Sequence, residues 1–253
     1  VPPRSRAMRV PRIFADLELR TAARVALPPG PSRHLAQVLR LRGGARVILF
    51  NGDGRDYQGR IVDLGQQRVS VEVFEAGLDE AECPLRIHLA IGISKGERMD
   101  FALQKAVELG VSSVTPLFTQ RSQVRLAATR LEKRLQHWRG VAIAACEQSG
   151  RRRLPAVHPP QSLSSWLAPG RTGALLLDHR SARTLADLAP PTDQATLLIG
   201  PEGGLAEDEL SAARQAGLTE IRLGPRILRT ETAPLAAIAA IQALWGDFRG
   251  PYR

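Results

Sequence analysis

The sequence predicts an α/β protein: a mostly parallel sheet covered by helices on both faces, preceded by a small barrel-like β module. Three observations predict it. Short β-like runs separated by glycine turns fill the first third of the chain. From about residue 85, apolar strands alternate with helical periods. Two glycine-proline loops, "IGPEGG" and "LGPRILRTETA", each follow a strand and lead into a helix. With 253 residues, 43% of them hydrophobic, the chain is long enough to bury a sizeable core, and we read two modest domains rather than one large one.

The elements follow in order. The chain opens on Val1, whereas "MRVPRI" from Met8 has the form of a natural start, so residues 1–7 read as tag or upstream sequence. "SRHLAQVLRLRGG" predicts a short helix ended by glycine. "RVILFNGDGRDYQGRIVDL" carries the apolar run Val47 to Phe50, an Asn-Gly-Asp-Gly turn and a second run from Tyr57 to Val62, which is a hairpin pattern. "RVSVEVFE" alternates as a half-buried strand does. The β module therefore covers 8–74, and the acidic, proline-ended stretch Glu75 to Pro84 reads as a linker to a second domain at 85–253.

In that second domain "LRIHLAIGI" predicts a strand, Glu97 to Leu109 a helix closed by Gly110, "SSVTPLF" a strand and Ala127 to Ser149 a long helix. "GALLLD", "ATLLIG" and "TEIRLG" are three further strands with helical segments between them, and Glu231 to Trp245 is a closing helix. This alternation is the pattern of a parallel sheet buried on both faces.

Charge narrows the partners. The net charge is +10, or +8 without Arg4 and Arg6, and arginine supplies 32 of the 35 cations. A basic, arginine-rich chain attracts polyanions, because the guanidinium fork donates two hydrogen bonds to a phosphate. Cys83 and Cys146 are the two cysteines, in unrelated contexts, so neither a disulfide framework nor a zinc pattern is indicated. The five histidines, His34, His88, His137, His158 and His179, are scattered without ligand spacing, and no metal is expected. No apolar run reaches the roughly 20 residues of a membrane span. We expect a cytoplasmic protein with no membrane partner.

The two loops carry the chemistry. Both should open at the carboxyl edge of the sheet, where such folds bind ligands. Gly200, Gly203, Gly204 and Gly224 let backbone groups approach a flat ligand, and Pro201 and Pro225 stiffen the turns. Neither loop has the lysine of a phosphate-binding P-loop or the G-x-G-x-x-G spacing of a dinucleotide site, and Glu202 would repel an anion. The ligand is therefore not a phosphate.

"ELGVSSVTPLFTQRSQV", "AACEQSGRRRLPAV", "LLIGPEGGLAEDEL" and "LGPRILRTETA", with "MRVPRIF" and "HLAQVLRLRGG" near the start, closely resemble the RsmE family, which methylates N3 of a uridine in 16S ribosomal RNA of the small subunit. The resemblance runs from Met8 to near Phe248. It implies a SPOUT-type fold: an N-terminal PUA-like barrel, a C-terminal domain threaded into a trefoil knot, and a homodimer. It also implies that the two loops clasp S-adenosylmethionine. Leu177, Ile199, Leu223 and Leu228 would supply apolar walls, with Gly200, Pro201, Gly203, Gly204, Gly224, Ile227 and Thr230 around them. A cationic sulfonium cofactor needs no anion cradle, which fits the missing lysine.

The reaction then sets the remaining roles. Uridine N3 is a poor nucleophile until its proton leaves. Arg229 is the first candidate to stabilise the charge that develops on the ring carbonyls. Glu231 or Glu202 is the proton acceptor if burial raises its pKa; either one alternatively holds Arg229 in place. Thr230 is placed to cap the last helix and to hydrogen-bond the cofactor, and the cap alone is the role we expect. For RNA we single out Arg121, Arg125, Arg151 and Arg152 within the basic stretch 121–153, and Arg9, Arg12, Arg40 and Arg42 in the β module. The partner implied is small-subunit ribosomal RNA or the assembled subunit. Two alternatives remain at this level: a SPOUT enzyme acting on another RNA such as transfer RNA, and a non-catalytic RNA-binding homologue.

Overall fold

The computed structural model describes residues 10–65, 68–79, 83, 85–122 and 128–250. The chain divides into two compact units, one made of residues 1–81 with 146–154, the other of 82–145 with 155–253. Residues 146–154, placed by sequence inside the 85–253 domain, thus belong to the N-terminal unit.

The N-terminal unit is built on β1 (Arg12–Phe14), β2 (Arg24–Ala26), β3 (Arg46–Phe50), β4 (Tyr57–Leu64) and β5 (Val69–Ala76), hydrogen-bonded in the order β1-β3-β4-β5-β2. β1 runs parallel to β3 and the other pairs are antiparallel. The hairpin expected at residues 47–62 is β3–β4, with Val47 opposite Gly59. Its turn places Gly52 and Gly54 at φ of 95° and 98°, backbone that glycine adopts without strain. The alternation in β5 puts Val69, Val71 and Val73 in a core with Ile13, Leu35, Leu49 and Ile61.

Two local expectations need correction in this unit. The helix begins earlier than the sequence indicates, as α1 (Pro29–Arg33), and continues as a π-helical turn over His34–Val38. It is ended by Arg40 rather than glycine: Arg40 takes a left-handed φ of 51°, and the Leu41 N–H closes back on the Leu35 carbonyl at 3.0 Å, a helix stop usually given to glycine. The stretch read as a linker starts inside β5, which includes Glu75 and Ala76. Gly77 then donates to the Asp56 carbonyl at 2.7 Å, while Arg152 donates to the Leu78 carbonyl and Arg153 pairs with Asp79. These contacts are local tethers of a segment whose composition is that of a linker.

The C-terminal unit contains β6 (Arg86–Gly92), α2 (Glu97–Glu108), β7 (Ser113–Phe118), α3 (Ala128–Ser149) up to residue 145, the short strands β8 (Ala156–Val157) and β9 (Gln161–Ser162), α4 (Leu163–Leu167), β10 (Leu175–Leu177), β11 (Gln194–Ile199), α5 (Glu207–Gln215), β12 (Thr219–Ile221) and α6 (Thr232–Trp245). The strands order as β12-β10-β11-β6-β7-β8, with β9 also on β7, and every pairing is parallel. β8, β9 and α4 were not legible in the sequence.

The long apolar runs are explained by burial on both faces. Ala90, Leu176 and Leu198 join a cluster with Leu163 and Trp166 of α4 and Leu210 and Ala213 of α5. Their strand neighbours Leu89, Ile91, Leu197 and Ile199 point the other way by the period of two and are equally buried, on the side where α6 meets β11 and α2. Gln242 of α6 is fully buried. Its amide donates to the Leu109 carbonyl at 3.0 Å and accepts from the Asp247 N–H at 3.2 Å, so it is satisfied at both ends. Among the described residues no helix is long and apolar enough to cross a membrane.

Parallel pairing sends the loops after β6, β10, β11 and β12 to one edge of the sheet. The chain leaves β6 toward β7 on one side and returns through β10 and β11 on the other. That edge, beside β6 and β11, is a switch point of the kind that holds ligands.

Candidate active site at the carboxyl edge of the sheet

A cavity of about 760 Å³ opens at this edge. Its walls come from the ends of β10 and β11, from the loop 200–205 and from the loop 223–231 leading into α6. Leu177, Ile199, Leu223 and Leu228 supply apolar surface, and the segment Gly200 to Gly204 supplies backbone.

One side chain ties the two loops together. Thr230, largely buried, donates from Oγ1 to the Gly200 carbonyl at 3.0 Å and lies 3.4 Å from the Ser94 hydroxyl at the end of β6. This corrects the capping role considered for Thr230: the N-cap position of α6 is Glu231, with no side-chain cap bond, and the Thr232 and Ala233 N–H groups bond the Arg229 carbonyl. The hydroxyl clasps loops instead.

The glycines are required by close approach. A Cβ on Gly200 would stand 3.0 Å from the Leu205 nitrogen and 3.1 Å from the Gly204 carbonyl carbon, and Gly204 sits at φ 68° with its N–H on the Pro201 carbonyl at 2.8 Å. The loop is therefore folded tightly on itself. Gly224, at φ 72°, shapes the turn after β12 but is not part of the cavity wall.

The charged groups fall into two classes. Glu202, with its side chain 16% exposed, accepts at Oε1 from the Lys95 N–H at 3.1 Å and from Arg98 at 3.3 Å, while Oε2 is buried and has no hydrogen-bond partner among the described residues. Burial raises its pKa, but its own N–H, the Lys95 N–H and the Arg98 guanidinium together outweigh burial and hold the carboxyl below the ordinary value. Glu202 therefore lacks the raised pKa expected of a proton acceptor. Asp178, buried after β10, is held below its ordinary value in the same way: burial raises it, and the hydrogen bonds and charge of Arg180 lower it further than that. Arg180 bridges Asp178 at 2.9 Å and Glu207 at 2.6 Å.

In contrast, Arg229 is exposed at the cavity and makes no ion pair among the described residues, and Glu231 stands half-buried beside it. Neither Glu231 nor Glu202 restrains Arg229, as the sequence had allowed. Ile227, expected at the cofactor, lines the cavity with 77% of its surface exposed.

The sequence reading missed Ser94, Lys95, Arg98 and the Asp178–Arg180–Glu207 network. A signal existed for the first three, since "GISKGER" is another glycine-bearing strand-to-helix turn. Asp178 and Arg180 carried a weaker one, a charged "DHR" directly after a three-leucine strand.

The arginines assigned to RNA divide as well. Arg121 lines the cavity and donates to the Gly203 carbonyl at 3.0 Å. Arg40 and Arg42 are exposed. Arg151 is half-buried, and Arg152 lies 3.3 Å from Asp56. Arg12 is corrected: its side chain is 7% exposed, bonded to Asp56 at 2.6 Å and to the Cys146 carbonyl at 2.8 Å, so it holds the N-terminal unit together and is not available to a phosphate. Arg9 and Arg125 lie outside the described residues.

Comparison with known proteins places this geometry. Residues 81–242 match the RNA methyltransferase domain and residues 32–74 the RNA methyltransferase PUA domain. The ribosomal RNA small subunit methyltransferase E of Buchnera aphidicola from Acyrthosiphon pisum is 32% identical over 243 residues, 95% of this chain and 96% of that protein. That of Bacillus subtilis is 30% identical over 218 residues, 82% and 85% of the two chains. Among solved structures, ribosomal RNA small subunit methyltransferase E from Neisseria gonorrhoeae, bound to S-adenosyl methionine, is 40% identical, with a TM-score of 0.87 over 95% of this chain and 100% of that one. Lpg2936 from Legionella pneumophila, solved with bound SAM, is 36% identical, with a TM-score of 0.90 over 94% and 99%.

Proposed function

The chain belongs to the ribosomal RNA small subunit methyltransferase E family, and from that premise we propose that it methylates N3 of a specific uridine in 16S ribosomal RNA, using S-adenosylmethionine. The observation that carries this reading is the clasp from Thr230 to Gly200, which joins two glycine-bearing loops around one cavity at the carboxyl edge of the sheet.

The residues present suit the cofactor. Leu177, Ile199, Leu223 and Leu228 offer apolar surface to an adenosine, and the folded backbone of Gly200 to Gly204 offers N–H and C=O groups to the edge of a base. Carboxylates held ionised at Glu202 and Asp178 make the cavity tolerant of a cation. Bound there, S-adenosylmethionine supplies an electrophilic methyl group.

The chain's own groups handle the uridine. Its N3 must shed a proton, and the anion then spreads onto the two ring carbonyl oxygens. Arg229, free of any protein ion pair among the described residues, donates to that developing charge. Glu231, adjacent and half-buried, takes the proton, because Glu202 is engaged by Lys95 and Arg98 and is too weak a base. Most of the acceleration comes from alignment.

The N-terminal unit serves as the RNA-binding PUA-like barrel of residues 8–74, with Arg40, Arg42 and Arg151 offering charge to the phosphate backbone and the C-terminal unit adding Arg121. The C-terminal unit, the methyltransferase domain, has the trefoil knot of its family. This is supported by the return of α6 from the outer strand β12 to pack on the inner strand β11. Phe101 of α2, Leu244 of α6 and Phe248 just beyond it are exposed on adjoining elements and form the apolar contact of a homodimer. The enzyme works in the cytoplasm on ribosomal RNA or the assembled subunit.

The test is methylation of small subunits that lack the mark, with the modified nucleoside read by mass spectrometry. The expected product is 3-methyluridine, with transfer RNA unmodified. A different methylated base refutes the assignment. Arg229→Ala is expected to lower turnover by at least about 100-fold, as loss of a charge-stabilising donor does, with cofactor affinity within several-fold.

A further inference from the structure

The loop after β12 carries side chains that the packing of the fold does not use. Ile227, 77% exposed, is a branched aliphatic side chain standing in water at the rim of the cavity. Arg226 and Arg229 flank its turn, both exposed, and neither makes an ion pair or side-chain hydrogen bond among the described residues. On the facing loops Arg98 pairs with Glu202, and Arg121 donates to the Gly203 carbonyl. The tip thus presents one free apolar group between two free guanidinium groups.

Nucleic acid fits that combination. A guanidinium binds phosphate, and an aliphatic wedge packs against the face of a base that has lost its stacking neighbour. N3 lies on the pairing edge of uracil, so a paired or stacked uridine has to leave its helix before a cavity of this depth can hold it, and its departure exposes the faces of the adjacent bases.

We propose that the Arg226–Ile227 turn is the RNA-contacting tip of the active site: Ile227 packs into the gap beside the extruded uridine, and Arg226 holds an adjacent phosphate. The inference rests on the uridine methyltransferase reading and adds the device that keeps the uridine out of its stack. It differs from the cofactor-wall role in that Ile227 contacts RNA alone.

The experiment uses the full-length protein with Ile227→Ser, Ile227→Leu and Arg226→Ala. Both positions are exposed, so folding is retained and is checked by thermal melting. Ile227→Ser is expected to raise KM for small-subunit RNA roughly tenfold, the scale of one lost base contact. Its affinity for S-adenosylmethionine by calorimetry should stay within twofold, and its mass by light scattering unchanged. Ile227→Leu restores KM. Arg226→Ala lowers the slope of log affinity against log salt by about one. A drop in cofactor affinity for Ile227→Ser makes Ile227 a cofactor wall and overturns the proposal, a change in mass assigns it to a second copy of the chain, and an unchanged KM in an active variant removes it from RNA binding. A wild-type protein that forms no 3-methyluridine refutes the underlying reading instead.

Discussion

Gly92→Ala is the sharpest test of how the site is built. Gly92 ends β6, and a Cβ there would stand 2.5 Å from both the nitrogen and Cδ of Pro201 and 3.0 Å from the Gly200 carbonyl carbon. Ordinary contact begins at 3.4 Å, so the methyl is too close by about 0.9 Å. The obstructing atoms are backbone and a proline ring, which cannot rotate away. Either β6 or the loop 200–204 has to move by nearly 1 Å. Overpacking of this kind costs about 1–3 kcal/mol. In a domain of this size that lowers Tm by about 2–12 °C. Because the displaced loop is a wall of the cavity and is held by Thr230, cofactor affinity should fall about tenfold, which corresponds to about 1.4 kcal/mol of that cost appearing in binding. The assay pairs thermal unfolding with calorimetric titration of S-adenosylmethionine. Gly140→Ala is the control: that glycine lies in α3 with open space where the Cβ would go, and the change should be neutral or stabilising by about 0.5–1 kcal/mol. Unchanged cofactor affinity in Gly92→Ala would show that the position of the 200–204 loop does not decide binding, and the reasoning would fail.

Three further outcomes follow from particular contacts. Thr230→Val keeps the side chain's shape but removes the bond to the Gly200 carbonyl, so stability should drop by about 0.5–1.5 kcal/mol and cofactor affinity several-fold, with Thr230→Ser recovering both; equal affinity in the Val variant argues against the clasp. Arg12→Ala removes the 2.6 Å partner of Asp56 and one of the donors to the Cys146 carbonyl, and urea unfolding should register a loss of about 3 kcal/mol, near the lower end for a broken buried pair, whereas a change below 1 kcal/mol would mean that Arg12 is not structural. His88, on β6 between Ser113 and Thr115, has its pKa lowered from 6.5 to about 4, chiefly by burial and then by the nearby charges of His158 and Arg171. The unfolded chain binds this proton more readily. The stabilisation is therefore present above pH 6.5 and lost as pH falls from there toward 4, by up to about 3 kcal/mol. His88→Gln should flatten that part of the urea-measured stability profile, and an identical slope in the variant would contradict the assignment.

The alternation of strands and helices in the C-terminal unit was readable because strands buried on both faces are written as short runs such as "LLL" and "TLLI", set off by glycine and proline. The β3–β4 hairpin was readable because its turn demands glycine at positive φ. A boundary shifted where the residue type gave no signal: Arg40 ends the first helix in a left-handed conformation closed by the Leu41–Leu35 backbone bond, a role that composition assigns to glycine. Roles shifted for the same reason. A run of arginines looks alike in sequence whether its members face solvent or, like Arg12, are buried against an aspartate 44 residues away.

By itself the sequence determined which backbone pieces exist and that two glycine loops follow strands, since both depend on the intrinsic conformational freedom of a few residues in a row. Only the tertiary structure decided that those loops meet, because their meeting depends on a strand order in which β6, β10, β11 and β12 lie side by side while their residues are far apart along the chain. The same holds for the charges: the lowered pKa of Glu202 comes from its own N–H together with Lys95 and Arg98, more than a hundred positions distant, and Coulomb and hydrogen-bond energies depend on separation in space rather than in sequence.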